Sequence, residues 1–352
     1  MRLSDYQEYF RGKTVLVTGG AGAIGSNLTR ALGELGARLV IVLDDLSSAQ
    51  RWNVPSLPNV LFVPGSILDE VELKRVFFEG PEVVFHLAAL FANQNSIDHP
   101  ETDLLVNGLG TLKLLQYSQL TGVKRFIYAS SGCSIYGSSA PLPLTEEFMS
   151  LHLSSPYQIT KMLGELYGNF FGHHYGLAVV KARFFNSYGP GELPGQYRNV
   201  IPNFIYWAMR GEALPITGTG EETRDFTYVG DLVDGLLRAG FYEAAGGQEF
   251  NLASGKETRI IDLAQMINEA VGNKAGVSFT ERRKWDTKSR LLASVARARE
   301  LIGYEPRTSF KEGLSRAVGW FKENWERIVP AAAFGPGVSS AVRAKAETAN
   351  KG

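Results

Sequence analysis

Tyr157 and Lys161 stand four residues apart in the stretch Ser155-Pro-Tyr-Gln-Ile-Thr-Lys161. On a helix, residues at that spacing share one face, so a phenol and an ammonium project side by side into whatever cleft the face lines. A phenol ionises near pH 10, and each unit by which a neighbouring cation lowers that value corresponds to about 1.4 kcal/mol. The pair can therefore serve as an acid/base centre. The same spacing also fits a solvated helix face, so the chemistry depends on what lies upstream.

Upstream, Gly19-Gly-Ala-Gly22-Ala-Ile-Gly25 follows the apolar run Thr14-Val-Leu-Val-Thr18 and opens an amphipathic stretch. A strand before and a helix after give a glycine pattern its meaning. Glycines allow a tight turn and let a pyrophosphate approach a helix amino terminus, where free N–H groups and the macrodipole favour negative charge. Asp44 closes the second apolar run, where a carboxylate can accept hydrogen bonds from an adenosine ribose and repel a 2′-phosphate. NAD is thus expected over NADP, although Arg51 lies close in sequence.

The elements that must position these groups alternate through the first half of the chain. Apolar runs at 14–18, 39–43, 60–63, 83–87, 126–129 and 178–182 read as strands, and the stretches 24–35, 69–77, 101–119 and 157–174 as helices. Strands alternating with helices predict an α/β fold, a doubly wound parallel sheet of Rossmann type. From about Phe184 the chain becomes richer in Pro and Gly and is read as substrate-facing loops, followed by helices at 202–210, 229–242, 260–271 and 311–327. In the last of these, Leu314, Val318, Phe321, Trp325 and Ile328 form a stripe at helical spacing, as a core face does.

Residues 1–183 and 226–258 are assigned to the NAD-binding unit, and 184–225 and 259–330 to a smaller, discontinuous substrate-binding α/β unit. Residues 331–352, rich in Ala, Gly and Ser, are expected to be mobile. Among 352 residues, Lys+Arg 36 balances Asp+Glu 36, so no global field points to nucleic acid or to a membrane surface. Cys133 is the only cysteine and excludes an intrachain disulfide; with no apolar leader or membrane span, the chain is read as cytoplasmic. None of His86, His173 and His174 has a partner at metal-ligand spacing, so no metal is assigned.

Glycine loop, Asp44 and Tyr157-x-x-x-Lys161 occur in this order with His86-Leu-Ala-Ala89, Asn107-Gly-Leu-Gly-Thr111, Ser130-Ser-Gly-Cys-Ser-Ile-Tyr-Gly137, Arg183-Phe-Phe-Asn-Ser-Tyr-Gly-Pro190 and Thr223-Arg-Asp-Phe-Thr-Tyr-Val-Gly-Asp231. In these segments the chain resembles the extended short-chain dehydrogenase/reductase family, in particular its nucleotide-sugar epimerases and dehydratases, from about Lys13 to Trp325. The resemblance implies a cofactor site of Gly19, Gly22, Ala23, Ile24, Gly25, Asp44, Asp45, Ser66, Ile67, Leu87, Ala88, Ala89, Asn107, Ser130, Tyr157, Lys161 and Phe184. It implies a catalytic serine that bonds the substrate hydroxyl beside Tyr157; Ser131 fits that place, with Ser130 as the alternative. For the sugar nucleotide it implies Asn186, Asn199, Val200, Arg224, Arg283 and Asp286, with the arginines on the diphosphate and Asp286 on the ribose.

Two departures bear on the reaction. Relatives that eliminate water carry an Asp-Glu pair after this serine position, and decarboxylating ones carry a Glu nearby; here Gly132 and Cys133 follow. Neither supplies a proton donor or a carboxylate base, which disfavours a 4,6-dehydratase or decarboxylase and favours oxidation and re-reduction at C4. A net dehydrogenase or reductase passing through the same 4-keto species is the alternative, and the presence of both Tyr157 and Lys161 speaks against a non-catalytic NAD sensor. Ser66 replaces a usual Asp near the adenine, and the loop Arg283-Lys-Trp-Asp286-Thr-Lys-Ser-Arg290 is unusually basic, making Arg290 a candidate to face an extra negative charge such as that of a uronic acid. Relatives also pair the helices carrying Asn107 and Tyr157 into a four-helix bundle, so a homodimer is expected.

Overall fold

The computed structural model describes residues 8–282, 286 and 288–334. Its centre is a seven-stranded sheet of β1 (Thr14–Thr18), β2 (Leu39–Asp44), β3 (Val60–Pro64), β4 (Val83–His86), β5 (Arg125–Ser131), β6 (Val179–Phe184) and β7 (Glu249–Leu252). The strands lie in the order β7-β6-β5-β4-β1-β2-β3, every neighbouring pair parallel. This is the doubly wound, Rossmann-like sheet expected from the alternation of apolar runs. Between β1 and β4 the strand order reverses, which opens a crevice at the carboxyl ends of the strands.

Side chains on a strand alternate faces, and β1 shows why all five of its residues are buried. Val15 and Val17 pack beneath α1 (Ala23–Glu34) and α6 (Val229–Phe241), against Leu28, Leu32, Leu232 and Leu236. Leu16 faces the other layer, where Leu73 of α2 (Glu70–Phe78), Leu114 of α3 (Thr111–Leu120) and Phe171 of α4 (Pro156–Tyr175) close over it. A strand covered on both faces has no room for a polar alternation, hence the continuous apolar runs.

A second cluster gathers the later part of the chain. Ile201, Phe204 and Ile205 of α5 (Val200–Met209) pack with Leu263, Ile267, Leu314, Val318, Phe321 and Ile328. The stripe read at helical spacing is therefore core, but its helix is broken at Asn324 into Phe310–Glu323 and Trp325–Ala331. There the Asn324 side chain donates to the Trp320 carbonyl at 2.9 Å, competing with the continuing helix. The helix expected over 101–119 is likewise divided, into Pro100–Asp103, a wide π-helical turn Leu104–Gly110 and α3. Gly110 lets Ile67 pack where a Cβ would lie 2.5 Å from it. Residues 331–334, expected to be mobile, are packed instead: Phe334 lies on Tyr206 and Trp207, and the Ala333 carbonyl accepts from the Gln196 N–H. The remainder of that tail, 335–352, lies outside the described residues.

Candidate active site

Helix α4 starts where its sequence prescribes: the Ser155 hydroxyl accepts from the Gln158 N–H, and Pro156 occupies the first turn, where no backbone donor is needed. In its first two turns, Tyr157 and Lys161 are both buried. Lys161 Nζ donates to the Ala129 carbonyl at 2.9 Å and lies 5.6 Å from the Tyr157 ring centroid. Burial lowers its pKa to about 8, with Asp103 pulling the other way. For Tyr157 the same burial is decisive and runs against the sequence expectation: the phenol is pushed well above its ordinary value.

The two candidate serines have different partners. Ser131 is directed at the Tyr157 phenol, where it favours the ionised form, and shares a 2.9 Å hydrogen bond with Ser134. Ser130 turns the opposite way and donates to Glu165 at 2.5 Å, within a buried pair in which Arg183 holds both Glu165 oxygens at 3.0 and 2.8 Å. Cys133 follows on the short helix Gly132–Ile135, its thiol pushed up by burial, in keeping with a packing residue.

A cavity of about 550 Å³ runs from this centre to the glycine loop. Gly19, Gly22, Ala23, Ile24, Gly25, Asp44, Asp45, Ser66, Ile67, Leu87, Ala88 and Ala89 line one end, with Ser130, Ser131, Tyr157, Lys161 and Phe184 further along. Gly22 caps α1 with no side chain over the first N–H groups. The cradle is too tight for larger residues: at Gly19, whose φ is +70°, a Cβ would lie 2.6 Å from the Ala88 nitrogen, and at Gly25 it would lie 2.2 Å from the Gly19 carbonyl. Asp44 accepts from the Ala21 and Leu46 N–H groups at 2.9 Å each, which fastens β2 to the loop. An exposed helix terminus, a close backbone approach and a carboxylate at the second strand end fit a dinucleotide. Arg51 does not enter the cavity; its guanidinium stacks on Phe62.

Two expected cofactor or anion contacts are placed elsewhere. Asn107 is buried beneath the cavity wall, where its amide accepts from the Leu90 N–H and donates to the Leu90 carbonyl and to Asp103. Arg290 forms an exposed ion pair with Glu257 and does not line the cavity. Both outcomes follow from a closer local partner satisfying the side chain.

The other end of the cavity carries Asn186, Asn199, Val200, Arg224 and Asp286; Arg283 lies outside the described residues. Asn186 adopts the left-handed conformation with φ of 27° and donates to the Asp225 carbonyl. Asn199 donates to Glu192 at 2.8 Å, and Arg224 grips both oxygens of Asp286 at 2.9 and 3.0 Å. Asp286, read as a ribose acceptor, is thus also the counterion of the arginine read as a diphosphate ligand.

Residues 15–253 match the model of the NAD dependent epimerase/dehydratase family. The chain belongs to that family. A UDP-glucose 4-epimerase of Mycolicibacterium smegmatis is 37% identical over 311 residues, 87% of this chain and 98% of that protein. The solved epimerase of Methanothermobacter thermautotrophicus is 56% identical, with a TM-score of 0.93 over 94% of this chain and 98% of that one. The enzyme WbmF of Bordetella bronchiseptica, solved in complex with NAD+ and UDP, is 37% identical, with a TM-score of 0.81 over 92% and 96%. In this NAD-dependent family member the glycine cradle and the Tyr157–Lys161 pair line one cavity.

Other polar groups of this epimerase/dehydratase family member were not singled out by spacing. Glu192, Arg198 and Lys288 also line the cavity. Burial raises Glu192 to about 7, and Arg198 reaches the Ser48 carbonyl across the cleft. Each sits in a loop where no periodicity reports orientation. The one available signal is a charge inside a Gly- and Pro-rich stretch next to a motif residue, as Arg198 is to Asn199.

Proposed function

We propose that the protein interconverts C4 epimers of a nucleotide-diphosphate sugar. The observation that carries this reading is the composition of the wall around Tyr157. After Ser131 it continues as Gly132, Cys133 and Ser134, while the carboxylates lining the described cavity, Asp44, Asp45, Glu192, Glu222 and Asp286, stand on other segments. Elimination of water or loss of CO₂ would call for an acid or base at that wall.

In this mechanism Ser131 and Tyr157 hold the C4 hydroxyl, and Tyr157 takes its proton. NAD, when bound, supplies the hydride acceptor and then the hydride donor, with a cationic nicotinamide that favours a nearby phenolate. Lys161, fixed by the Ala129 carbonyl, stabilises the phenolate from the other side. Arg224, Asn186, Asn199 and Val200 grip the nucleotide diphosphate, which leaves the 4-keto sugar free to present its other face. Tyr157 then returns the proton. The relatives that carry UDP favour a uridine nucleotide. Residues 1–183 and 226–258 serve the cofactor, and 184–225 with 259–330 the sugar nucleotide.

Purified protein incubated with UDP-glucose, UDP-galactose and their N-acetylated and uronic forms is expected to yield the C4 epimer without net NADH. Stoichiometric NADH, a 4-keto-6-deoxy product or released CO₂ overturns the reading. Tyr157→Phe is expected to lower turnover at least about 100-fold while NAD remains bound.

A homodimer accompanies this proposal. Leu104, Leu105 and Leu109 on the π-helical turn and Ile159, Leu166 and Phe170 on the adjoining α4 are each more than two-fifths exposed. An apolar face of this kind is suited to a second copy of the same pair of helices.

A further inference from the structure

Among the described residues of the basic loop, Lys288 is a cation that lines the cavity. Its Nζ donates to the Cys133 carbonyl at 2.9 Å, on the turn directly after Ser131. The ammonium therefore stands at the sugar end, beside the reacting centre. Among the described residues it makes no ion pair. Asp286, two residues away, has both oxygens engaged by Arg224. An ammonium carries three donors, and among the described residues one of them meets a partner. Burial lowers its pKa to about 8, the mark of a cation without full compensation. Removing such a charge from water is unfavourable unless an anion arrives to share the site.

We propose that Lys288 is a specificity-determining residue that binds a carboxylate on the sugar, so that the preferred substrate is a nucleotide-diphospho-uronic acid. The inference rests on the nucleotide-sugar reading of this cavity, and for the reaction itself on C4 epimerisation. Arg290, tied to Glu257, is excluded from that role by its partner. A diphosphate oxygen is the competing anion, and binding measurements separate the two.

Titration calorimetry on NAD-loaded protein with UDP, UDP-glucose and UDP-glucuronic acid is expected to show at least tenfold tighter binding of the uronic acid than of the glucose form. Lys288→Met is expected to remove that preference, and Lys288→Arg to retain most of it. Equal losses for UDP and UDP-glucuronic acid assign Lys288 to the diphosphate and overturn the proposal, as does a wild-type protein with no preference. Turnover is scored separately. Lys288-dependent uronate binding without C4 inversion overturns the epimerase reading alone. C4 inversion without that binding preference overturns this inference alone.

Discussion

Ser130 and Ser131 are adjacent and chemically identical, yet their hydroxyls serve opposite purposes because successive side chains of a strand point to opposite faces. Ser131→Ala is expected to lower kcat about 10- to 100-fold, in the range of a lost transition-state hydrogen bond, with little change in thermal stability. Ser130→Ala is expected to do the reverse, costing about 1–3 kcal/mol because it strips a hydrogen bond from the buried Glu165 carboxylate. Paired measurements of turnover and urea midpoint check both, and interchanged outcomes would assign the reacting hydroxyl to Ser130. The sequence narrowed the choice to this dipeptide; the direction of each hydroxyl depends on Glu165 and Tyr157, at 35 and 26 residues' distance.

At the scale of elements, the join between β1 and α1 is the most constrained. A methyl group on Gly25 would meet the Gly19 carbonyl and the Gly20 backbone, neither of which can yield without opening the turn. Gly25→Ala is expected to lose NAD retention at least tenfold, read by cofactor content after gel filtration. His86 ties three elements together: its Nδ1 pairs with Thr18 of β1 at 2.8 Å and its Nε2 with Thr111 of α3 at 2.9 Å. Burial lowers its pKa to about 3, so the folded protein holds it neutral. Below pH 6.5 the unfolded chain binds a proton there that the folded chain does not, and stability falls as pH drops from about 6.5 toward 3. At pH 4.5 the deficit is expected to be about 2–3 kcal/mol relative to pH 7. His86→Gln is expected to flatten that profile in urea titrations, and an unchanged slope would show that other groups control it.

Across the whole molecule, the exposed apolar face on the π-helical turn and α4 sets the expected assembly. Light scattering should give a dimer for the native chain and a monomer for Leu105→Glu combined with Phe170→Glu. A monomeric native chain would remove the basis for the four-helix bundle. The stretch over 101–119 was legible as a helix, but not its division at the π-helical turn that carries this face. Its π-helical widening depends on Asn107 reaching Leu90 and on Gly110 receiving Ile67, contacts that no periodicity encodes.

Six of the seven strands, the glycine cradle, Asp44 and the Tyr157–Lys161 face were readable from the chain alone, because each rests on a local rule: apolar runs for buried strands, glycine for a close backbone turn, four-residue spacing for one helix face. The edge strand Glu249–Leu252, whose sequence carries no continuous apolar run, was not. What tertiary structure decided were the partners and the charges. Burial rather than Lys161 governs the phenol of Tyr157, Glu257 removes Arg290 from the site, and Lys288 is brought to the Cys133 carbonyl from 155 residues away. Those outcomes depend on desolvation and on contacts between distant loops, and neither quantity is a property of a short stretch of sequence.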